Sequence, residues 1–147
     1  MSSRVIALVS GGLDSFLLVQ RLLRQGAQVV PVYIRGGLIW EAAELVWLKR
    51  WLTQLRQSRL EPLTILPIPL RTLYGSHWSL TGRGIPSRSS PDAAVYLPGR
   101  NVLLLGAAAV FAAQQGAGTL AMGTLAGNPF GDATPAFFRR FSVCLSA

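Results

Sequence analysis

The feature that most constrains this chain is a short apolar run, Val5-Ile6-Ala7-Leu8-Val9, that stops at Ser10-Gly11-Gly12-Leu13-Asp14-Ser15 and gives way to a helical stripe. Branched and apolar residues without polar alternation predict a strand buried on both faces, and such strands belong to parallel sheets. The stripe consists of Phe16, Leu17, Val19, Leu22 and Leu23, in a helix predicted over Ser15–Gln25 and closed by Gly26 as its C′ residue. Strand, glycine turn and helix in direct succession place the turn at a helix N-terminus, where N–H groups and the positive dipole end attract anions.

The same alternation continues. Val29–Ile34 is predicted as a second strand, and Trp40–Leu55 as a second helix carrying Leu45, Leu48, Leu52 and Leu55 at three- and four-residue spacing. Glu41 and Glu44 fall in its first turns, where acidic groups suit the dipole. Leu63–Ile68 is a third strand, ended by Pro67 and Pro69. Residues 69–99 are rich in Gly, Pro, Ser and Arg and lack periodicity, so they read as a long loop that is functional or disordered. Asn101 is expected to cap a helix over Val102–Gln115, closed by Gly116, before a fourth strand at Thr119–Met122. A second loop, Gly123–Pro135, leads to a last helix opened by Pro135 at N1 and running through Phe137, Phe138 and Phe141. This order predicts an α/β fold, a doubly wound parallel sheet of Rossmann-like type.

Composition narrows the class. At 147 residues the chain is read as a single domain over 1–147, and 50% hydrophobic residues exclude a disordered chain. One cysteine excludes a disulfide framework and any zinc site built from several thiolates, so no metal ligand set is assigned. Val5–Val9 is too short for a leader, and Val102–Ala113 is too short to span a bilayer and is interrupted by Gly106; a soluble, cytoplasmic protein with no membrane partner is expected. Of the 14 basic residues only Lys49 is lysine, and the formal net charge is +8. The arginines are scattered, with Arg139-Arg140 the only adjacent pair of them, which argues against a nucleic-acid surface and for charge serving a phosphate-bearing ligand.

The turn after the first strand carries the chemistry. Its glycines let backbone approach a phosphate closely, and Ser10 and Ser15 add hydroxyl donors. Asp14 cannot face phosphate directly; it either caps the loop's own N–H groups or reaches a phosphate-bound magnesium. A purely structural Gly-Gly turn with a capping Asp is the competing reading. The sequence lacks both GxxxxGK[ST] and GxGxxG, so this is a different phosphate cradle.

The motif resembles the SGGxDS pyrophosphate loop of the N-type ATP pyrophosphatases, whose fold is of the adenine nucleotide alpha-hydrolase type. That resemblance implies ATP cleaved between its α and β phosphates, a substrate carbonyl or carboxylate adenylated, and AMP displaced by a nucleophile. Further along, Tyr96-Leu97-Pro98-Gly99-Arg100-Asn101 before the Ala-rich helix resembles the V/L-P-G-R-N segment of the 7-cyano-7-deazaguanine synthases. Leu120-Ala121-Met122-Gly123-Thr124 is similar to their strand and glycine turn, and Asp132-Ala133-Thr134-Pro135-Ala136-Phe137-Phe138 to their P-D-C-R-P-E-F-I stretch. His77-Trp78-Ser79-Leu80-Thr81-Gly82 corresponds loosely to their S-A-L-T segment.

The resemblance implies an ATP-dependent carbon–nitrogen ligase of queuosine biosynthesis, taking 7-carboxy-7-deazaguanine, ammonia, ATP and Mg²⁺, and a homodimer. It places Ser10, Gly11, Gly12, Leu13, Asp14, Ser15, Arg100 and Gly123 on the nucleotide, with Asp14 and Arg100 in catalysis. Arg100, ahead of a helix N-terminus, suits phosphate or carboxylate oxygens; an ordinary surface arginine is the alternative. Asp132 and Thr124 would take the substrate, Asp132 through the N1–H and 2-amino edge of a guanine-like base, unless it is an ordinary turn residue.

The departures are Ala133-Thr134 for the family's Cys-Arg, Ala136 for its Glu, and the absence from these residues of the four-cysteine Zn²⁺ site that the resemblance implies, which is expected of either a truncated member or a divergent paralogue that has lost it. Rival readings are another pyrophosphatase-loop amidating or tRNA-thiolating enzyme, a non-catalytic ATP-binding module, and a basic nucleic-acid-binding protein. His77 reads as structural or surface, Trp40, Trp47 and Trp51 as packing, and Cys144 as a small buried hydrophobe.

Overall fold

The computed structural model describes residues 3–146. Strands β1 (Arg4–Leu8), β2 (Gln28–Arg35), β3 (Thr64–Pro67) and β4 (Thr119–Met122) form one sheet in the order β3-β2-β1-β4, with every pairing parallel. Helices α1 (Leu13–Arg24) and α2 (Glu41–Gln54) follow β1 and β2; the short α3 (Arg71–Tyr74) and α4 (Trp78–Thr81) follow β3. The long α5 (Arg100–Gln114) precedes β4, and α6 (Pro135–Leu145) comes last.

Side-chain alternation along β1 explains the two-sided core. Val5 and Ala7 join Val29, Tyr33, Val19, Leu23 and Leu48 beneath α1 and α2. Ile6 and Leu8 join Val30, Val32, Leu105, Ala108 and the phenylalanines of α6 on the opposite face. Ile6 and Ala7 are fully buried, and removing a side chain the size of Ile6 from water stabilises the fold by about 1.5–3 kcal/mol. The doubly wound α/β fold expected from the sequence is therefore the observed one.

Pro31 shapes the middle of the sheet. Odd-numbered residues of β2 face β3: Val29 donates to Arg59 O and accepts from Glu61 N, and Arg35 accepts from Ile68 N. Pro31 shares that side and has no N–H to donate, and the regular β2–β3 ladder resumes only at Val32 opposite Thr64.

Several boundaries differ from expectation. Residues 69–99 are not a structureless loop; α3, α4 and a short 3₁₀ turn at Asp92–Ala94 lie within them. Leu70 and Leu97 pack with Leu38, Trp40 and Leu80 in a third apolar cluster, and Trp78 Nε1 donates to Ala94 O at 2.9 Å. Single helical turns are too short to generate a sequence period, which is why they were invisible. Helix α5 starts at Arg100 behind Gly99 (φ 69°), so Asn101 lies inside the helix and does not cap it. Pro135 does open α6, with the Thr134 hydroxyl accepting from Phe137 N at 3.1 Å. Cys144 is exposed, as is Trp47 with the Arg50 guanidinium 5.0 Å from its ring centroid; neither packs in the core as expected. Trp51 does, edge-on to Phe16. Among the described residues no helix is long and apolar enough to cross a membrane.

Candidate functional site

The chain reverses its winding direction between β1 and β4, and in open α/β sheets the crevice at the carboxyl ends of such a strand pair is the ligand position. The turn Ser10–Gly12 leaves β1 there, and Gly123 leaves β4 beside it. A Cβ on Gly123 would sit 3.3 Å from the carbonyl oxygen of Asp14, so the two turns are in contact.

The first turn is internally braced. Ser10 N donates to Ser15 Oγ at 2.9 Å, the Ser10 and Ser15 hydroxyls lie 3.1 Å apart, and Gly12 N donates to Ser10 Oγ at 3.2 Å. Helix α1 begins at Leu13, inside the motif, with Gly12 as an extended N-cap and no side-chain cap. Asp14 makes no capping bond and is exposed in the first helical turn, so of the two roles considered for it the intramolecular cap is not made. Gly11 is required by packing, since a Cβ there would lie 2.6 Å from Glu44 O. Gly12 differs: the nearest atom to its Cβ would be Ser10 Oγ at 3.4 Å, which leaves that side open. An uncapped helix N-terminus, two hydroxyls and an open glycine fit the phosphates of a nucleotide.

Arg100 is the first residue of α5, and its Nε is buried without a partner among the described residues. Its charge acts on both Tyr33 and Tyr74. Burial, then the hydrogen bond it donates to Glu44 at 2.7 Å, hold the Tyr33 hydroxyl well above the usual tyrosine range. Burial first and the Asp132 charge second also raise Tyr74, whose hydroxyl donates to Pro98 O at 2.7 Å and anchors the approach to Arg100.

Asp132 accepts from the backbone N–H of Asn101 at 3.0 Å through Oδ2, while Asn101 Nδ2 donates to Asp132 O at 2.9 Å. Asp132 thus caps α5 from another loop, with Oδ1 making no hydrogen bond among the described residues. Tyr96 and Phe130 stack at 4.7 Å between ring centroids and join the same two loops. Thr124 is exposed and lines a groove of about 840 Å³ along the outer edge of β4, otherwise bounded by Leu105, Ala112, Leu120, Phe138 and Phe141.

Ser10–Ser15 and Gly123 therefore come together, and Arg100 and Asp132 share the N-terminal turn of α5 and the loop packed on it. His77 caps the short α4 through Nδ1, 3.3 Å from Ser79 N, a structural role. Sequence reasoning missed Glu41, whose buried carboxylate accepts from Gly36 N at 2.6 Å and from Gly37 N at 3.0 Å. The signal was present: two adjacent glycines at a strand end, followed within one helical turn's length by an acid. Among the described residues no cluster of three His, Cys, Asp or Glu side chains could hold a metal alone.

Comparison with known proteins follows the same line. The profile of a family described as queuosine biosynthesis protein QueC matches residues 4–147. The chain is 29% identical over 147 residues to 7-cyano-7-deazaguanine synthase 1 of Desulfitobacterium hafniense (strain Y51), a match covering 98% of this chain and 65% of that protein. The chain thus spans less than two thirds of that relative's length. A crystal structure from Methanocaldococcus jannaschii, described as a predicted subunit of tRNA methyltransferase, superposes with a TM-score of 0.62 at 15% identity, over 98% of this chain and 64% of that one. At that identity the likeness concerns the fold.

Proposed function

This chain belongs to the QueC family of queuosine biosynthesis proteins, and on that premise we propose that it is an ATP-dependent ligase acting on 7-carboxy-7-deazaguanine and ammonia to give 7-cyano-7-deazaguanine. The observation that carries the reading is the uncapped N-terminus of α1, opened by Gly12 and flanked by the Ser10 and Ser15 hydroxyls, at the point where the sheet reverses its winding. The relative's name supplies the product.

In this reading the N–H groups of Leu13, Asp14 and Ser15 receive the β- and γ-phosphates, which depart as pyrophosphate when the substrate carboxylate attacks the α-phosphate. Ammonia displaces AMP to give the amide; a second ATP adenylates the amide oxygen with release of pyrophosphate, and AMP then leaves with that oxygen, and a proton from nitrogen, to give the nitrile. Magnesium, when bound, neutralises charge developing on the phosphates. Arg100 adds a fixed positive charge whose Nε already lacks an internal partner, and such preorganised charge is worth most where water is excluded. Asp132 keeps Oδ1 for the substrate while Oδ2 holds α5. No side chain is an evident general base, which suits a reaction that depends on positioning more than on proton transfer.

The test is conversion. The protein, incubated with Mg²⁺, ATP, ammonium and 7-carboxy-7-deazaguanine, is expected to give the nitrile, identified by mass, and to give none when ATP is omitted. ATP binding without conversion would favour the non-catalytic nucleotide module, to which the altered Ala133–Ala136 stretch also points.

A further inference from the structure

The first turn of helix α2 abuts the loop read as a phosphate cradle. A Cβ on Gly11 would lie 2.6 Å from Glu44 O and 2.8 Å from Glu44 Cα, so the loop rests on that turn. What fixes the turn is Glu41. It is the first residue of α2 and only 5% exposed. Its carboxylate accepts from Gly36 N at 2.6 Å and from Gly37 N at 3.1 and 3.0 Å through its two oxygens. Those amides belong to the turn by which the chain leaves β2, next to β1 in the sheet.

The turn itself is held from outside. Leu70 N donates to Gly36 O at 2.9 Å and Ile39 N to Ser79 O at 2.8 Å. Leu70 also covers Gly36 so closely that a Cβ there would meet its Cδ1 at 2.6 Å. The end of β2 is therefore a fixed post, and Glu41 ties α2 to it. A carboxylate serves this purpose well because it accepts from both amides at once, and charge-assisted bonds to backbone N–H groups are roughly twice as strong as neutral ones.

We infer that Glu41 is a positioning residue for ATP: it holds the first turn of α2 against Gly11, and so sets where the loop presents its N–H groups to the phosphates. The inference rests on the reading of Ser10–Ser15 as a phosphate loop. It touches no substrate atom, and its effect travels through Gly36 and Gly37 on one side and Glu44 on the other.

The experiment compares wild type with Glu41→Ala and Glu41→Gln. Mg-ATP affinity is measured by calorimetry well below each variant's unfolding temperature, and the Gly11 and Gly12 amide resonances are followed without nucleotide. Glu41→Ala is expected to weaken Mg-ATP binding by roughly tenfold or more, since small misplacements of a binding group are expensive. Its Gly11 and Gly12 resonances move, and Glu41→Gln, which keeps one acceptor oxygen, falls between. Variants that bind Mg-ATP like wild type with those resonances unmoved would overturn the inference, whatever happens to their stability. Should Glu41→Ala fail to fold, the Gln variant decides by the same two readouts. If wild type itself binds no Mg-ATP, the phosphate-loop reading fails, and unmoved resonances would then separately refute the coupling while displaced ones would uphold it.

Discussion

Asn101, in the first turn of α5, donates twice to Asp132 on the loop before α6, from its backbone N to Asp132 Oδ2 at 3.0 Å and from Nδ2 to Asp132 O at 2.9 Å. The pair makes a helix cap out of residues thirty-one positions apart. It links the helix turn that carries Arg100 to the loop expected to hold the substrate.

Asp132→Ala should destabilise the protein by about 1 kcal/mol, the usual effect of losing a cap, and Asn101→Ala by about 1 kcal/mol for the lost side-chain hydrogen bond to Asp132 O. Their consequences for substrate should differ. Asp132→Ala raises KM for 7-carboxy-7-deazaguanine well beyond Asn101→Ala, because only Asp132 has a carboxylate oxygen to spare. Denaturant melts alongside steady-state kinetics check both halves, and equal KM values would restrict Asp132 to capping.

The glycines of the loop divide in the same manner. Gly11→Ala drives a Cβ to within 2.6 Å of Glu44 O, so it should lower stability by about 1–3 kcal/mol, the range for forced overpacking. Gly12→Ala, with 3.4 Å to its nearest neighbour, should leave the melting temperature nearly unchanged and still abolish Mg-ATP binding. Thermal melts with and without nucleotide separate the two, and a Gly12→Ala protein that is still stabilised by Mg-ATP would place the phosphates elsewhere.

Tyr33 predicts an alkaline signature. Its folded-state pKa lies above the ordinary 10.0, mainly through burial and secondly through the bond to Glu44. Below the unfolded value both states keep the proton and stability is unaffected. Above about pH 10 the unfolded chain ionises while the folded protein does not, so stability falls with pH. Tyr33→Phe removes that dependence, and at neutral pH costs about 1 kcal/mol for the lost hydrogen bond. Denaturation of both proteins across about pH 9–11 tests this; parallel curves would contradict it.

Much of this was legible in the sequence, for identifiable reasons. Strand β1 is legible because Val5–Leu8 is buried on both faces and is apolar throughout. The turn Ser10–Ser15 is legible as a candidate phosphate cradle because strand, paired glycines and helix stand there in direct succession. What remained hidden is long-range. Nothing near Asn101 says that its N–H is satisfied by Asp132, and local capping rules therefore assigned it the cap itself. The tie from Glu41 is local, and its sequence signal is only the paired glycines Gly36 and Gly37 ahead of an acid that also suits the helix dipole. Cys144 and Trp47 looked like core by residue type, but each falls on the outer side of its helix.

The chemistry proposed for this site is cleavage of ATP between the α and β phosphates through adenylation of a carboxylate. It is tested most directly with 7-carboxy-7-deazaguanine carrying ¹⁸O in its carboxyl group, incubated with protein, Mg²⁺, ATP and ammonium, the phosphate-bearing products being analysed by mass spectrometry. The expected result is ¹⁸O in AMP, unlabelled pyrophosphate, and loss of both products in Asp14→Ala. Label in inorganic phosphate, or ATP turnover that leaves AMP unlabelled, would contradict it.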